Sequence, residues 1–524
     1  MSRLALNVPV VPFSVLRPLY PMVQGLLRQR MAHIRHWIDY PLDAQLLTFR
    51  RLLAAGTSTE WGKKFDFASL RHPDQFRQRI PLQDYESLLP FIRRMMQGEP
   101  NILWPGRIRW FAKSSGTTSE RSKYIPVSRE SIYGNHFKAS MDLLACYCSA
   151  YPQTRLLRGK GIIVGGSHHS FEGHVRTGDL SAVLMQNMSL LARSYRAPAL
   201  STALMDRWEE KVERLARETL REDITNFSGV PSWTLLLMKK VMELGQTDDL
   251  LRVWPNLELY IHGGVAFAPY RQSFNSFVPS GRLRYMEVYN ASEGFFAFTP
   301  EPDDADLVLH LSSGVFFEFI PESEFGKEQP ATRLLHEVER GKLYGLVVST
   351  SGGLWRYNTT DTVRFTSVRP YKIQVSGRMK FFINVFGEEV IQENAESALQ
   401  AACKATGAVA HEYTVAPVFL TTAQRGRHEW LVEFEQPPSD LSLFVDELDQ
   451  ALRRVNSDYD AKRQSDLALL QPLVRPVPRG TFYSWLKSKN KLGGQHKVPR
   501  LSNDRLLVEE ILSRMANAPA AGLP

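Results

Sequence analysis

Phe111-Ala112-Lys113-Ser114-Ser115-Gly116-Thr117-Thr118-Ser119-Glu120-Arg121-Ser122-Lys123-Tyr124 sets hydroxyl side chains on both sides of a glycine, with Lys113 before them and Lys123 after. Small residues let the backbone turn tightly and approach a ligand closely. Successive backbone N–H groups in such a turn form a nest for an anion, and Ser and Thr hydroxyls add uncharged donors. Two readings follow, a loop that cradles phosphate and a solvated Ser/Thr turn, and these residues alone leave both open.

Outward from that loop, composition limits the kind of molecule. A chain of 524 residues is too long for one core, so two or more domains are expected. Hydrophobic residues make up 43% and charged residues 23%, ordinary for a soluble globular protein. Cys146, Cys148 and Cys403 are too few for a disulfide framework and suit a reducing compartment. His168, His169 and His174 stand at no recognised metal-ligand spacing from the Cys-x-Cys pair, so core thiols are expected. The formal charge of +9 is spread along the chain without a helix-turn-helix, zinc-finger or RNA-binding signature, so nucleic acid is not the expected partner. Pro9, Pro12, Pro18 and Pro21 interrupt the apolar N-terminal stretch, which stays short of the roughly 18 residues a membrane helix needs. With no secretory signal pattern either, a cytoplasmic protein with no membrane partner is expected.

Periodicity supplies the elements. Residues 22–56 read as helical with an interruption at Pro41, and Ser131 to Tyr151 as a helix. Gly56 to Lys64 superficially resembles a P-loop. Five residues separate its glycines instead of four, and Lys64 stands where Ser or Thr should bind magnesium, so a helix end and turn is the reading. Gly161 to Gly166 and Leu257 to Gly264 read as strands with glycine exits. Arg207 to Arg221 reads as an amphipathic helix with a solvated charged face, and Asn226 to Trp233 as a turn feeding a helix over Thr234 to Leu244. Arg284 to Tyr289 is a strand ending at Asn290-Ala291-Ser292-Glu293-Gly294. Val315 to Ile320, Tyr344 to Thr350 and Thr362 to Phe365 are short strands between Gly- and Pro-containing turns, a small antiparallel sheet or barrel. From Gly377 the order becomes strand, helix, strands, helix, an α+β unit with its boundary near Ser376 to Lys380. Leu467 to Asn503 contains no Asp or Glu, and reads as a solvated basic face or tail whose Gly493 and Gly494 give mobility beside Lys497.

Three short islands recur in order: the hydroxyl loop, Tyr289 to Gly294, and Trp355-Arg356-Tyr357-Asn358-Thr359-Thr360-Asp361-Thr362-Val363-Arg364-Phe365. Their order and separation resemble the three nucleotide-binding motifs of adenylate-forming enzymes. Trp61-Gly62-Lys63, Gly229 to Trp233 and Lys497 to Arg500 extend a likeness to the auxin-responsive family of acyl acid-amido synthetases over most of the chain. The resemblance implies a mixed α/β and α+β fold. A large N-terminal domain over 1–377 has α/β layers and a small β-barrel, and a smaller, mobile α+β domain covers 378–524.

The resemblance also implies ATP and Mg²⁺ as cofactors, and a small carboxylic acid and an amino acid as partners. Ser114, Ser115, Gly116, Thr117 and Thr118 match the phosphate loop, with Lys123 at a phosphate-contacting lysine. Glu293 matches the acidic residue that helps hold Mg²⁺, Asp361 the aspartate on the ribose hydroxyls, and Arg378 a nucleotide-contacting arginine at the hinge. Gly263 and Gly264 take the adenine-side position, Tyr289 opens the second motif, and Lys497 matches the mobile C-terminal lysine. Bland readings stand beside these: a helix N-terminal charge for Glu293, a turn aspartate for Asp361, a surface lysine for Lys497. The chain departs from the family at Ser119, Glu120 and Arg121, which replace a glycine-rich continuation, and at Thr360, where glycine often precedes the aspartate. The implied reaction is adenylation of the acid followed by amide formation. A coenzyme A thioester and a non-catalytic anion- or nucleic-acid-binding protein are the alternatives.

Overall fold

The structure is a computed structural model in which residues 20–115, 122–166, 168–172, 175–265, 267, 270–378, 382–420, 425–464, 469–489 and 498–517 are described. They form two compact units. One draws on Met1–Ser114, Tyr124–Gly264 and Phe274–Met379, the other on Ser115–Lys123, Val265–Ser273 and Lys380–Pro524.

In the larger unit, helices α1 (Tyr20–Asp39) and α2 (Pro41–Gly56) part at Pro41, whose fixed φ and missing N–H suit the first turn of the second helix. The glycines of the P-loop lookalike have a packing reason. A Cβ on Gly56 would lie 2.7 Å from the Trp355 ring, and one on Gly62 would lie 2.1 Å from the Gly56 carbonyl oxygen. Gly62 belongs to a short helix, Glu60–Lys64, started by the Thr59 hydroxyl accepting from the Gly62 N–H.

Strands β1 (Trp110–Ser115), β2 (Ser122–Val127), β4 (His168–Glu172) and β5 (Val175–Gly178) form one sheet in the order β2-β1-β5-β4. Between them come helix α3 (Phe137–Ala150) and strand β3 (Lys160–Val164), which belongs to an eleven-stranded sheet. Its other members are β6 (Arg196–Ala197), β7 (Ile224–Gly229), β8 (Leu259–Gly263), β9 (Arg284–Ala291), β10 (Gly294–Phe298), β11 (Leu307–Leu309), β12 (Val315–Pro321), β13 (Leu343–Thr350), β14 (Tyr357–Val368) and β15 (Tyr371–Arg378). The order is β12-β13-β14-β15-β11-β10-β9-β8-β7-β3-β6. From β9 through β6 the pairings are parallel, and from β9 through β12 they are antiparallel.

Four sequence expectations are corrected here. The short strands between 315 and 365 do not make a separate small sheet: β12, β13 and β14 continue the large sheet through β15 and β11. The turns between them look the same in either arrangement, so the sequence pattern could not distinguish the two. Asn226 to Gly229, read as a turn, lies in β7, paired on both sides with β3 and β8, and the following helix α5 (Pro231–Gly245) starts at Pro231. Helix α4 (Trp208–Thr219) is not solvated at every charge, because Lys211 is fully buried. Described residues of the acid-free stretch after Leu467 contribute to a core, as the smaller unit shows.

That unit contains the two-stranded β16 (Phe382–Ile383) and β17 (Val390–Ile391), and a three-stranded sheet of β18 (Val409–Val418), β19 (Arg427–Gln436) and β20 (Leu473–Val477). Helices α6 (Gln392–Thr406) and α7 (Leu441–Val455) pack on each other, followed by α8 (Thr481–Ser488) and α9 (Leu506–Asn517). Val477, Phe482, Trp485 and Val498 from the basic stretch join Ala416, Leu431, Val508 and Ile511 in one apolar cluster. Arg475, Arg479 and Lys489 are exposed in the same stretch that buries Val477, Phe482 and Trp485, an alternation that a charge count does not see.

Candidate active site

Parallel strands present their carboxyl ends along one edge, where ligands bind in open α/β sheets. Here β3 exits through Gly165 and Gly166, β7 ends at Gly229, and β8 ends at Gly263 followed by Gly264. A Cβ on Gly263 would sit 2.3 Å from the Val288 carbonyl oxygen, so glycine is required for β8 to approach β9, and Gly264 turns with φ +82°. At the β3 exit the Lys211 ammonium donates to the carbonyls of Gly165 (2.7 Å) and Gly166 (3.1 Å). Burial pushes this lysine down to about 8.

The second island is a hairpin. β9 and β10 pair with Ala291 opposite Gly294, which leaves Ser292 and Glu293 as the two-residue turn. Glu293 therefore lies between two strands and not at a helix N-terminus. The hairpin is gripped from Ser131–His136, a single π-helical turn ahead of α3, a form that recurs at functional sites. Asn135 accepts from the Phe295 N–H (2.7 Å) and donates to the carbonyls of Phe295 (3.0 Å) and Ser313 (2.9 Å). His136 Nδ1 lies 2.9 Å from Asn290 Oδ1. An amide oxygen only accepts, so Nδ1 carries the proton. Burial pushes His136 down to about 4, which keeps the ring neutral.

The third island is a strand, not a turn. Asp361 sits in β14 opposite Arg378 of β15. Before it, Thr360 has φ +66°, a left-handed conformation that glycine adopts freely and a β-branched residue does not. Local side chains hold this shape. Asn358 Oδ1 accepts from the Thr360 N–H (2.9 Å), and the Thr359 hydroxyl accepts from the Asp361 N–H (3.2 Å) while donating to the Leu346 carbonyl (2.9 Å). Arg356 and Trp355 do other work. The buried Arg356 guanidinium is bound to both Glu318 carboxylate oxygens, and Trp355 Nε1 donates to the Leu103 carbonyl.

Islands two and three meet directly: the Tyr289 hydroxyl donates to Asp361 Oδ2 at 2.6 Å. β9 and β14 are four strand-to-strand steps apart, or about 19 Å in a flat sheet at roughly 4.8 Å a step. The antiparallel half must therefore coil to bring these side chains together. Ser114 is partly buried near the end of β1, and Lys123, also partly buried, lies in β2. Gly116, Thr117, Thr118 and Lys497 lie outside the described residues, as do Ser119, Glu120, Arg121 and the side chains of Ser115 and Arg378. The residues directly after Lys497 are tied to β18, where the Val415 N–H donates to the Arg500 carbonyl and the Thr414 hydroxyl to that of Pro499. Cys146 and Cys148 are buried, and burial pushes both thiols up to about 12, so they are protonated core residues. Asn135, His136 and Lys211 escaped the sequence reading, because their partners lie 45 or more residues away in the chain.

Residues 30–283 match the GH3 family N-terminal domain, 308–378 the GH3 family central domain, and 393–506 the GH3 family C-terminal domain. The chain is 23% identical to indole-3-acetic acid-amido synthetase GH3.3 of Arabidopsis thaliana, over 90% of this chain and 91% of that one. It is 23% identical to jasmonoyl–L-amino acid synthetase GH3.5 of Oryza sativa subsp. japonica, over 89% and 93%. Among solved structures, the GH3.15 acyl acid amido synthetase aligns with TM-score 0.56 at 16% identity, covering 90% of this chain and 93% of that one. A 2-hydroxyisobutyryl-CoA ligase aligns with TM-score 0.56 at 14% identity, covering 91% and 92%.

Proposed function

The chain belongs to the GH3 family, and from that premise we propose that it is an ATP-dependent ligase that adenylates a small carboxylic acid and passes the acyl group to an amino acid. The observation that carries the site assignment is the 2.6 Å contact between Tyr289 and Asp361, which joins residues 72 positions apart in the chain beside the Glu293 hairpin.

A carboxylate is a poor electrophile, and its attack on the α-phosphate of ATP brings anions together. The hydroxyl loop from Ser114 to Thr118 and Lys123 offset that repulsion with uncharged donors and one cation. Asp361 accepts from the ribose hydroxyls, and Tyr289 fixes the carboxylate rotamer that does so. Holding the sugar sets the α-phosphate in line for attack, an orientation effect of several kcal/mol. Arg378 and Gly263–Gly264 complete the nucleotide's surroundings. Glu293 suits Mg²⁺ carried in on phosphate. No group of three or more His, Cys, Asp or Glu side chains gathers among the described residues, and magnesium is commonly held by one or two carboxylates with phosphates and waters. When bound, the ion neutralises charge developing on the departing pyrophosphate. The amine of an amino acid then displaces AMP to give an amide. Lys497 is the cation brought to this centre when the smaller domain, 378–524, closes over it and excludes water. The acid pocket is formed by helices flanking the hydroxyl loop and by the start of α5 at Val230 to Trp233.

Incubation with ATP, Mg²⁺, a panel of aromatic and aliphatic acids, amino acids and coenzyme A, read by mass spectrometry, tests the reading. An N-acyl amino acid with stoichiometric AMP is expected. A coenzyme A thioester in its place would transfer the protein to the acyl-CoA ligases, and salt-sensitive nucleic-acid binding without ATP turnover would remove it from the ligases altogether.

A further inference from the structure

Gln83-Asp84-Tyr85 belongs to none of the three islands, yet its hydrogen bonds reach two of them. Its first residue pairs with the third island. The Gln83 N–H donates to the Arg356 carbonyl (2.9 Å), and the Gln83 carbonyl accepts from the Asn358 N–H (2.8 Å), a parallel bridge across Tyr357. The Arg356 guanidinium reinforces that end by donating to the carbonyls of Arg77 (2.8 Å) and Ile80. Its last residue reaches β2, the strand that follows the hydroxyl loop in the chain. There the Tyr85 hydroxyl accepts from the Tyr124 N–H at 2.9 Å. That N–H belongs to the peptide joining Tyr124 to Lys123.

Asp84 joins the two ends firmly. It is the N-cap of the helix Tyr85–Met96, where its Oδ1 accepts from the Ser87 N–H (2.9 Å) and the Ser87 hydroxyl accepts from the Asp84 N–H (3.1 Å). This reciprocal capping box ties the bridge at Gln83 to the first turn of the helix. Tyr85 opens that turn and is 3% exposed, so its ring is held by packing as well. β2 is fixed separately beyond its far end, where the Ser128 hydroxyl donates to the Ser351 carbonyl (2.7 Å). Tyr85 therefore governs the end of β2 nearest the hydroxyl loop, and Ser128 the other. We propose that Gln83–Tyr85 is a strut between the phosphate and ribose sides of the site, with Tyr85 a positioning residue that presets β2 for the phosphates of ATP. The proposal rests on the adenylation reading above. A site that is only partly preset binds more weakly by the fraction already competent, whereas saturated enzyme is unaffected. Loss of the hydroxyl should therefore appear in KM and not in kcat.

Acid-dependent ATP–pyrophosphate exchange by full-length Tyr85→Phe, which keeps the buried ring, tests it. The KM for ATP and the KM for pyrophosphate should each rise about fivefold, the scale of one ordinary hydrogen bond. The limiting rate should stay within about twofold of wild type, and thermal unfolding within a few degrees. Tyr289→Phe, on the ribose side, should raise the KM for ATP and leave that for pyrophosphate unchanged. A general loosening of the fold would not separate the two variants in this way. Hydrogen–deuterium exchange without nucleotide gives a second measurement, and the peptide containing Tyr124 should exchange faster in Tyr85→Phe. Both KM values at the wild-type level, or unchanged hydrogen exchange at that peptide, overturns the strut while leaving the adenylation reading in place. A wild-type chain that exchanges no pyrophosphate with any acid overturns that reading, and the strut with it.

Discussion

Tyr289 and Asp361 illustrate what single side chains contribute. A hydrogen bond to a charged group is worth about 1.5–3 kcal/mol, and here it fixes a carboxylate that is proposed to hold ribose. Tyr289→Phe keeps the ring packed against Phe296, an edge contact at 5.0 Å. It should therefore leave thermal unfolding within a few degrees of wild type while raising the KM for ATP about tenfold. An unchanged KM would separate Tyr289 from the nucleotide. Thr360 presents the opposite case, a residue that costs stability. Its φ of +66° carries strain of about 1–2 kcal/mol for a non-glycine residue, and glycine would relieve that strain at a cost of about 0.4–1 kcal/mol in unfolded-state entropy. Denaturant unfolding of Thr360→Gly should show stability unchanged or raised by up to about 1.6 kcal/mol. A loss of stability would mean the threonine side chain is needed. At this scale the sequence was informative where chemistry is carried by residue type. Ser114, Glu293 and Asp361 could be singled out as candidates because their motifs are local. The departure at Thr360 was legible too, and it falls at a backbone angle that glycine would take without strain.

Elements are where legibility ends and tertiary contacts take over. The π-helical turn at Ser131–His136 carries no periodic signature, and its grip on the β9–β10 hairpin runs through Asn135 and His136 to partners over 150 residues away. The same turn gives the fold a pH dependence. His136 is held neutral, with a pKa near 4, whereas in the unfolded chain it protonates below about 6.5. Unfolding therefore takes up a proton in that window, and stability falls as pH drops from 6.5 towards 4, by as much as about 3 kcal/mol from this residue. His310 is also lowered, chiefly by burial, and acts in the same direction. The difference between wild type and His136→Gln isolates one group. The wild type should lose stability more steeply from pH 6.5 to 4, and parallel curves would show that His136 is not the titrating residue. Strand β7 was misread for a related reason. Asn226, Ser228 and Gly229 look like turn residues, but pairing with β3 and β8 satisfies their backbone and decides the matter.

Across the whole molecule, the glycine exits of β3, β7 and β8 and the hairpin after β9 put four loops along one sheet edge, and the coiling of the antiparallel half adds Asp361 to them. The continuity of that sheet was not readable from sequence, because hydrogen-bond partners of edge strands are chosen by register and not by composition. Nor did the basic tail reading survive for β20 and α8, since charge counts ignore the buried residues between their basic ones. What these placements claim together is that Glu293 and Asp361 serve one nucleotide during acid activation. Acid-dependent exchange of labelled pyrophosphate into ATP measures that half-reaction without needing the amine. Wild type should exchange only when an accepted acid is present, and Glu293→Ala and Asp361→Ala should each lower the rate a hundredfold or more while unfolding at wild-type temperatures. Exchange at the wild-type rate in both variants would contradict the account.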